Sequence, residues 1–265
     1  MLRVHGTAII GEGVVFGEGV TVGPYAVVED GVCVGNGSSI ASHAILRSGT
    51  VIGENCMIDS FAAIGGLPQD ESFDGKFRSS VSIGNGTTIR EFVTVNRSTE
   101  QSVPTKVGAN CMLQASAHVA HDCEIGDGTV MAVGSMLGGR VSLGKMCFIG
   151  GGAAVHQRVV LGDCVILSGN SATALDIPPY AIAAGISMVI GVNITRLQRM
   201  SLPRGNIVAV KNCFREFYKR TGIFRERAEK MLREGFAETG EVQNFLNFFL
   251  RESKMGFAPK RRSVK

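Results

Sequence analysis

The sequence predicts an all-β parallel β-helix of six-residue repeats, completed by a C-terminal α-helical domain. Three observations carry the prediction. Large aliphatic residues recur at every sixth position over most of the stretch from Ile10 to Leu167. A small residue stands two places before each of them, and after Pro179 the spacing changes to the threes and fours of amphipathic helices.

The six-residue beat runs through Ile10, Phe16, Val22, Val28, Val34, Ile40, Leu46, Ile52, Ile58 and Ile64, resumes at Ile83, Ile89 and Val95, and returns from Val107 to Leu167. Two residues earlier stands Ala, Ser, Thr, Val or Cys, as at Ala8, Thr50, Cys56, Cys111, Cys123 and Cys147. A spacing of two places both on one face of a short strand, so each repeat offers one large and one small group to an interior. The cysteines in this slot read as small packing residues. Glycine commonly follows the large residue, as at Gly11, Gly17, Gly84 and Gly126, where a sharp turn is expected.

Short strands joined by tight turns at fixed spacing resemble the hexapeptide-repeat proteins, in which three hexads make one triangular coil. The resemblance implies a left-handed parallel β-helix over residues 1–190 and a helical domain over residues 191–265, with loops near 67–80 and 97–104. Residues 18 apart then stack along the axis at about 4.8 Å.

Composition agrees with this architecture. Glycine is abundant at 35 residues, tryptophan is absent and charged residues make up 19%. The net charge of +4, concentrated after about Met188, allows an acidic partner for the C-terminal part, whereas a nucleic-acid surface needs denser charge. The opening MLRVHGTAII lacks a signal-peptide apolar run, and no segment reaches the roughly 18 apolar residues of a membrane span, so a cytoplasmic location is the expectation. Seven cysteines without a CxxC pair argue against a disulfide framework and a structural zinc site.

Stacking at 18 places His121 under Gly139 and Gly139 under Gln157, with Asp122, Arg140 and Arg158 in the next column and His156 beside Gln157. The interruptions in the beat fall at Leu67–Ser80 and Arg97–Pro104. If the chain still traverses those coils, both loops leave near the His121 edge, whereas a plain insertion at Ile64 moves the first loop to another edge. On periodicity alone, His121 reads equally as a general base and as a polar turn residue. A zinc site is the rival chemistry, but His118 lies on the outer strand face and His121 in the turn beyond, so the expectation is no metal. As a base, His121 can take a proton from an attacking hydroxyl with Asp122 as companion, while a glycine amide one coil above donates to an oxyanion.

"PQDESFDG", "IREFVTVNRST", "AHVAHDC", "GGAAVHQ", "DIPPYAIAAG" and "GVNITRLQR" occur in the order found in the UDP-N-acetylglucosamine O-acyltransferases of lipid A biosynthesis, which nearly the whole chain resembles. The resemblance implies transfer of a 3-hydroxyacyl group from the phosphopantetheine of acyl carrier protein to the sugar 3-position, without a further cofactor, by a homotrimer with sites between subunits. It implies His121 as base, Asp122 as its companion and the Gly139 amide as oxyanion donor. Gln69, Asp70, His156, Gln157, Asn193 and Arg199 correspond to substrate contacts, and Gly151 and Gly169 to positions that measure acyl length. Arg140 stands where the family commonly has histidine and is taken as substrate-binding. Ser72, Thr195 and Met200 also depart from the usual residues. Those departures keep open a different nucleotide sugar, such as a 3-amino analogue, or another acyl donor. Two readings of other kinds, a metal-dependent hydratase and a catalytically silent scaffold, also remain.

After the Pro178–Pro179 turn, four segments read as amphipathic helices: GVNITRLQRM, LPRGNIVAVKNCFREFYKR, IFRERAEKMLREGFAE and EVQNFLNFFLRES. In the second, Ile207, Val210, Phe214, Phe217 and Tyr218 form a packing stripe. Arg196, Arg199, Arg204, Lys211, Arg215, Lys219 and Arg220 make either a solvated basic face or a dock for acyl carrier protein. The final KRRSVK reads as a mobile end.

Overall fold

A computed structural model describes residues 1–75 and 78–261. Among these, the strands form three sheets of eleven, nine and eight strands, stacked as the faces of a triangular parallel β-helix. We call them faces 1, 2 and 3 in the order in which the chain crosses them after Met1. The register is the expected one: His118 pairs with Met136 and Met136 with Ala154, each 18 residues on. In each two-residue strand the second side chain points inward, and the alternation leaves an apolar column of Val28, Leu46, Ile64, Val95, Val119, Leu137 and Val155 inside face 2.

The small slot before each strand has a second job. Ser38 and Thr87 hydroxyls donate to the carbonyls of Gly53 and Gly108 on the next coil, each at 2.8 Å. Thiols of Cys56, Cys123 and Cys147 donate in the same way to Gly84, Gly138 and Gly162, each at 3.2 Å. Packing size alone is therefore an incomplete reading of these cysteines, because corner carbonyls turned into the apolar core need a donor.

The role expected for the glycine after each large residue also changes. The left-handed backbone falls two residues later and is adopted there by glycines such as Gly13 and Gly19 and also by side-chain-bearing residues, including Tyr25, His43, Phe61 and Phe92 at φ of 58° to 63°. The glycines directly after the large residues are needed for closeness instead. A Cβ on Gly17 would stand 2.6 Å from the amide nitrogen of Asn36, and one on Gly84 2.6 Å from that of Ala109. Stacking offsets part of the left-handed cost at the four aromatic positions, whose rings lie parallel with centroids 5.0 to 5.2 Å apart.

Both loops leave the corner between faces 2 and 3, but by a simpler route than a traversed coil. Ile64 lies on face 2 and Ile83 on face 3 directly above Ile52, so Leu67–Ser80 is a plain insertion at that corner. Val95 on face 2 leads to Val107 on face 3 likewise. The expectation that a plain insertion would move the first loop to another edge is thus corrected: the beat had counted a missing coil.

The two ends of the β-helix differ. At the first coil the inward side chains Val4 (41% exposed) and Ile10 (36%) are left uncovered, and the beat member Phe16 is not fully buried. At the other end Pro178 and Pro179 do not end the repeat. The chain returns to face 1 as Ala181–Ala184, parallel to Ile166–Leu167, and then reverses into the antiparallel strand Met188–Val192. The boundary placed after residue 190 lies inside that strand. Helices α1 (Ile194–Arg199), α2 (Arg204–Lys219), α3 (Phe224–Arg233) and α4 (Gly240–Asn247) follow. Asn193 caps α1 through Arg196 N, so the helix starts after the GVN segment rather than within it. The α2 stripe packs as expected, with Phe217 stacked on Phe249 at 4.2 Å.

Asp176 clasps this domain to the last coil. Its buried carboxylate accepts from the Val160 amide at 2.7 Å, from Arg251 at 2.6 Å and from the Ser253 hydroxyl. Lys260 bridges to Val189 and the Arg261 amide donates to the Val189 carbonyl, so the start of the expected mobile end is pinned, while residues 262–265 lie outside the described residues. Arg220 is paired with Glu234 at 2.5 Å and Glu216 at 3.6 Å, which removes it from any free basic face. Among the described residues no helix is long and apolar enough to cross a membrane.

Candidate active site

The corner between faces 2 and 3 gathers the residues that the 18-residue register had aligned. The His121 carbonyl accepts from Arg140 N at 2.9 Å, and the Gly139 carbonyl from Arg158 N at 2.9 Å, fixing three successive coils in one seam. His121 is 8% exposed, with its ring packed against Gly139: a Cβ on that glycine would lie 2.5 Å from Nε2 and from Cε1. Glycine is required there because the imidazole occupies the side-chain space.

Nδ1 of His121 lies 2.8 Å from Oδ2 of Asp122. Asp122 is ionised and accepts only, so Nδ1 carries the proton and Nε2 offers its lone pair to the seam. The carboxylate is held from several sides. Ser98 Oγ and Thr99 N donate to Oδ1 at 2.5 and 2.7 Å, Thr99 Oγ1 donates to Oδ2 at 2.6 Å, and Arg140 Nε stands 3.5 Å from Oδ2. Burial alone would raise the Asp122 pKa, but these donors and His121 overcome it and bring the group down to about 2. Ser98 and Thr99 were not singled out in the sequence. Their signal was the insertion at Arg97–Pro104 on this corner, because the repeat gives no register for what an inserted loop touches.

The sign of this shift makes a stability prediction. A carboxyl depressed on folding contributes stability above its unfolded pKa near 4 and loses it as pH falls through the folded value. The contribution of Asp122 is expected to be about 2 kcal/mol, present at pH 5 and gone near pH 2. Urea unfolding of wild type and Asp122→Asn across that range checks it: the variant should show a shallower acid loss, and parallel curves would refute the assignment.

The Gly139 amide is the second element. Several amides at the same turn position are capped one coil on: Glu12 N by Asp30 at 2.8 Å, Ala109 N by Asp127 at 2.9 Å and Lys145 N by Asp163 at 2.8 Å. Above Gly139 the residue is Gln157, and among the described residues no acceptor lies on the Gly139 amide. It is therefore a donor left open beside a basic nitrogen.

Asp70 approaches from the first loop, with Oδ2 3.9 Å from His121 Nε2, and its other oxygen accepts from Ser72 N and Oγ at 2.9 and 2.7 Å. Those Ser72 hydrogen bonds hold the Asp70 carboxyl below its ordinary range. Gln69 is exposed on the same loop, and exposed His156 and Gln157 complete the seam one coil above Gly138 and Gly139. His118 is not part of it: its Nδ1 bonds Thr94 Oγ1 at 2.7 Å on the outer side of face 2, and burial lowers its pKa. Among the described residues no three His, Cys, Asp or Glu side chains form a metal-binding group.

The remaining expected residues lie elsewhere on the chain. Asn193 is buried, its amide group donating to the Cys164 carbonyl at 2.7 Å and its oxygen capping α1. With Arg199 it borders a recess of about 180 Å³ against Phe148 and Ile166, on the outer side of face 1. That face is opposite the His121 corner. Gly151 and Gly169 stack at the third position, the corner between faces 1 and 2, where a Cβ on Gly169 would meet the Gly151 carbonyl at 3.3 Å.

Comparison with known proteins bears on the family and the fold. The family described as UDP N-acetylglucosamine O-acyltransferase, domain 2, matches residues 176–258, and bacterial transferase hexapeptide repeats match residues 104–139. A protein of Aliarcobacter butzleri named as an acyl-carrier-protein-dependent UDP-N-acetylglucosamine O-acyltransferase is 43% identical over 234 residues, 88% of this chain and 90% of that one. One of the same name from Paraburkholderia phymatum is 42% identical over 97% of this chain and 99% of its own. The solved UDP-N-acetylglucosamine acyltransferase of Campylobacter jejuni superposes with a TM-score of 0.91 at 31% identity, covering 98% of this chain and 100% of that one. Repeat, fold and full-length relatives converge, and the chain belongs to the UDP-N-acetylglucosamine O-acyltransferase family.

Proposed function

We propose that this protein transfers a 3-hydroxyacyl group from the phosphopantetheine thioester of acyl carrier protein to the 3-hydroxyl of UDP-N-acetylglucosamine, an early step of lipid A biosynthesis. The observation that carries the mechanism is the pairing of an Asp122-oriented imidazole with an open Gly139 amide in one seam. His121 Nε2 takes the proton of the sugar hydroxyl as its oxygen attacks the thioester carbonyl. The Gly139 amide donates to the resulting oxyanion. Collapse breaks the carbon–sulfur bond, and the departing thiolate takes the proton back from His121. No cofactor is needed, since the thioester arrives activated.

The split of the substrate residues supports a homotrimer. Asn193 and Arg199 stand on face 1, opposite the His121 corner, so a single chain cannot bring them to its own base. A neighbouring copy presenting face 1 to this corner closes the seam into a cleft. Face 2 joins the His121 corner to the Gly151 and Gly169 corner, and its outward column of Met136, Ala154 and Ala172 gives an apolar bed for the acyl chain.

The test offers hydroxyacyl carrier proteins of graded length with UDP-N-acetylglucosamine and its 3-amino analogue, and identifies products by mass spectrometry. An O-acylated UDP-N-acetylglucosamine is expected, and exclusive use of the analogue or of an acyl-CoA would overturn the reading. The relatives named above give the alternative acceptor no support. In the same assay Gly169→Met is expected to shift preference to shorter chains, with kcat/KM for the longest donor falling roughly tenfold to a hundredfold. Unchanged chain preference would remove Gly169 from the acyl path.

A further inference from the structure

We infer that Cys123, placed in the core beneath the seam, is a positioning residue for the oxyanion-binding peptide: its thiol holds the Gly138 carbonyl inward so that the amide of that same peptide, the Gly139 N–H, points outward to the reacting carbonyl. The inference rests on the acyl-transfer reading of this corner and extends it to a residue that no substrate touches.

A trans peptide is planar, with its C=O and N–H directed oppositely, so fixing one end aims the other. The Cys123 Sγ lies 3.2 Å from the Gly138 carbonyl oxygen, and the side chain is 1% exposed. The Gly138 amide is itself held by the Val155 carbonyl at 2.9 Å, and the backbone of Gln157 leaves no room for a Cβ on Gly138. The 138–139 peptide is thus fixed from both sides, with the thiol governing its tilt. Donation into the carbonyl also polarises the peptide and strengthens its N–H as a donor. Burial pushes the Cys123 thiol up to about 12, so the proton it donates is retained at any working pH.

The fold supplies its own control. Cys111 makes the corresponding bond to the Gly126 carbonyl at 3.4 Å, and Cys147 to Gly162 at 3.2 Å, but at the corner between faces 3 and 1. The peptides those thiols hold, 126–127 and 162–163, lie at that other corner, away from His121 and the seam. Ser38 shows that a serine in this slot reaches the same carbonyl, at 2.8 Å.

The experiment compares Cys123→Ala, Cys123→Ser and Cys111→Ala with wild type by steady-state transfer from hydroxyacyl carrier protein and by thermal unfolding. Cys123→Ala is expected to lower kcat about tenfold with KM for UDP-N-acetylglucosamine unchanged, a fraction of what removing an oxyanion donor costs. Cys123→Ser should restore most of the rate. Cys111→Ala should match Cys123→Ala in stability loss while keeping kcat. Equal loss of kcat in all three variants, or none in Cys123→Ala, would overturn the inference. His121→Ala in parallel separates the levels: if it is inactive while Cys123→Ala is normal, only the positioning role fails, whereas an active His121→Ala removes the underlying mechanism as well.

Discussion

His121→Ala is expected to reduce kcat for acyl transfer by roughly a hundredfold to ten-thousandfold, the range a positioned general base supplies. The imidazole has the two properties that the role requires. Its Nδ1 proton is committed to Asp122 at 2.8 Å, which fixes the tautomer, and its Nε2 faces the seam beside the open Gly139 amide. The nearby His118 does not replace it, because its ring is bound to Thr94 on the outer side of face 2. The variant should fold normally, since the coil is held by backbone bonds such as Arg140 N to the His121 carbonyl. Single-turnover transfer from acyl carrier protein checks this, and a near-normal rate would remove His121 from the mechanism.

Gly139→Ala is expected to cost roughly a hundredfold or more in kcat, although it deletes no functional group. The added methyl would stand 2.5 Å from two atoms of the His121 ring, and no flexible end of a side chain is there to yield. Either the imidazole swings off Asp122 or the two coils part, and a displacement of about 1 Å at a reacting group is enough for a loss of that order. The pattern separates this from a binding defect: kcat should fall while the dissociation constant for UDP-N-acetylglucosamine, measured by calorimetry, stays within about threefold. Full activity would show that the ring works from some other position.

What the sequence displays of this molecule is whatever repeats. Val119, Leu137 and Val155 announce an inward column because the period is constant, and the same period turns His121, Gly139 and Gln157 into neighbours before any coordinates exist. The rest was hidden where the period stops. Ser98 and Thr99 reach Asp122 from an insertion, across 24 and 23 residues with no register to predict the contact. Asp176 meets Arg251 across 75 residues through a clasp that no local pattern encodes. The thiol bonds were concealed differently: Cys123 fits its slot by size, and size gives no sign of the carbonyl above it. Asn193 shows the converse, since its motif position points to substrate while its side chain in the single chain caps a helix.

The unequal ends of the β-helix give the molecule a direction. Each coil leans on its neighbours, so disruption propagates from a boundary. One boundary is bare at Val4 and Ile10, while the other is locked by Asp176 and the Lys260 bridge. Resistance to opening is therefore graded along the axis, and the chemistry at His121 belongs to the deep part of that gradient, several layers in from the edge where fraying starts.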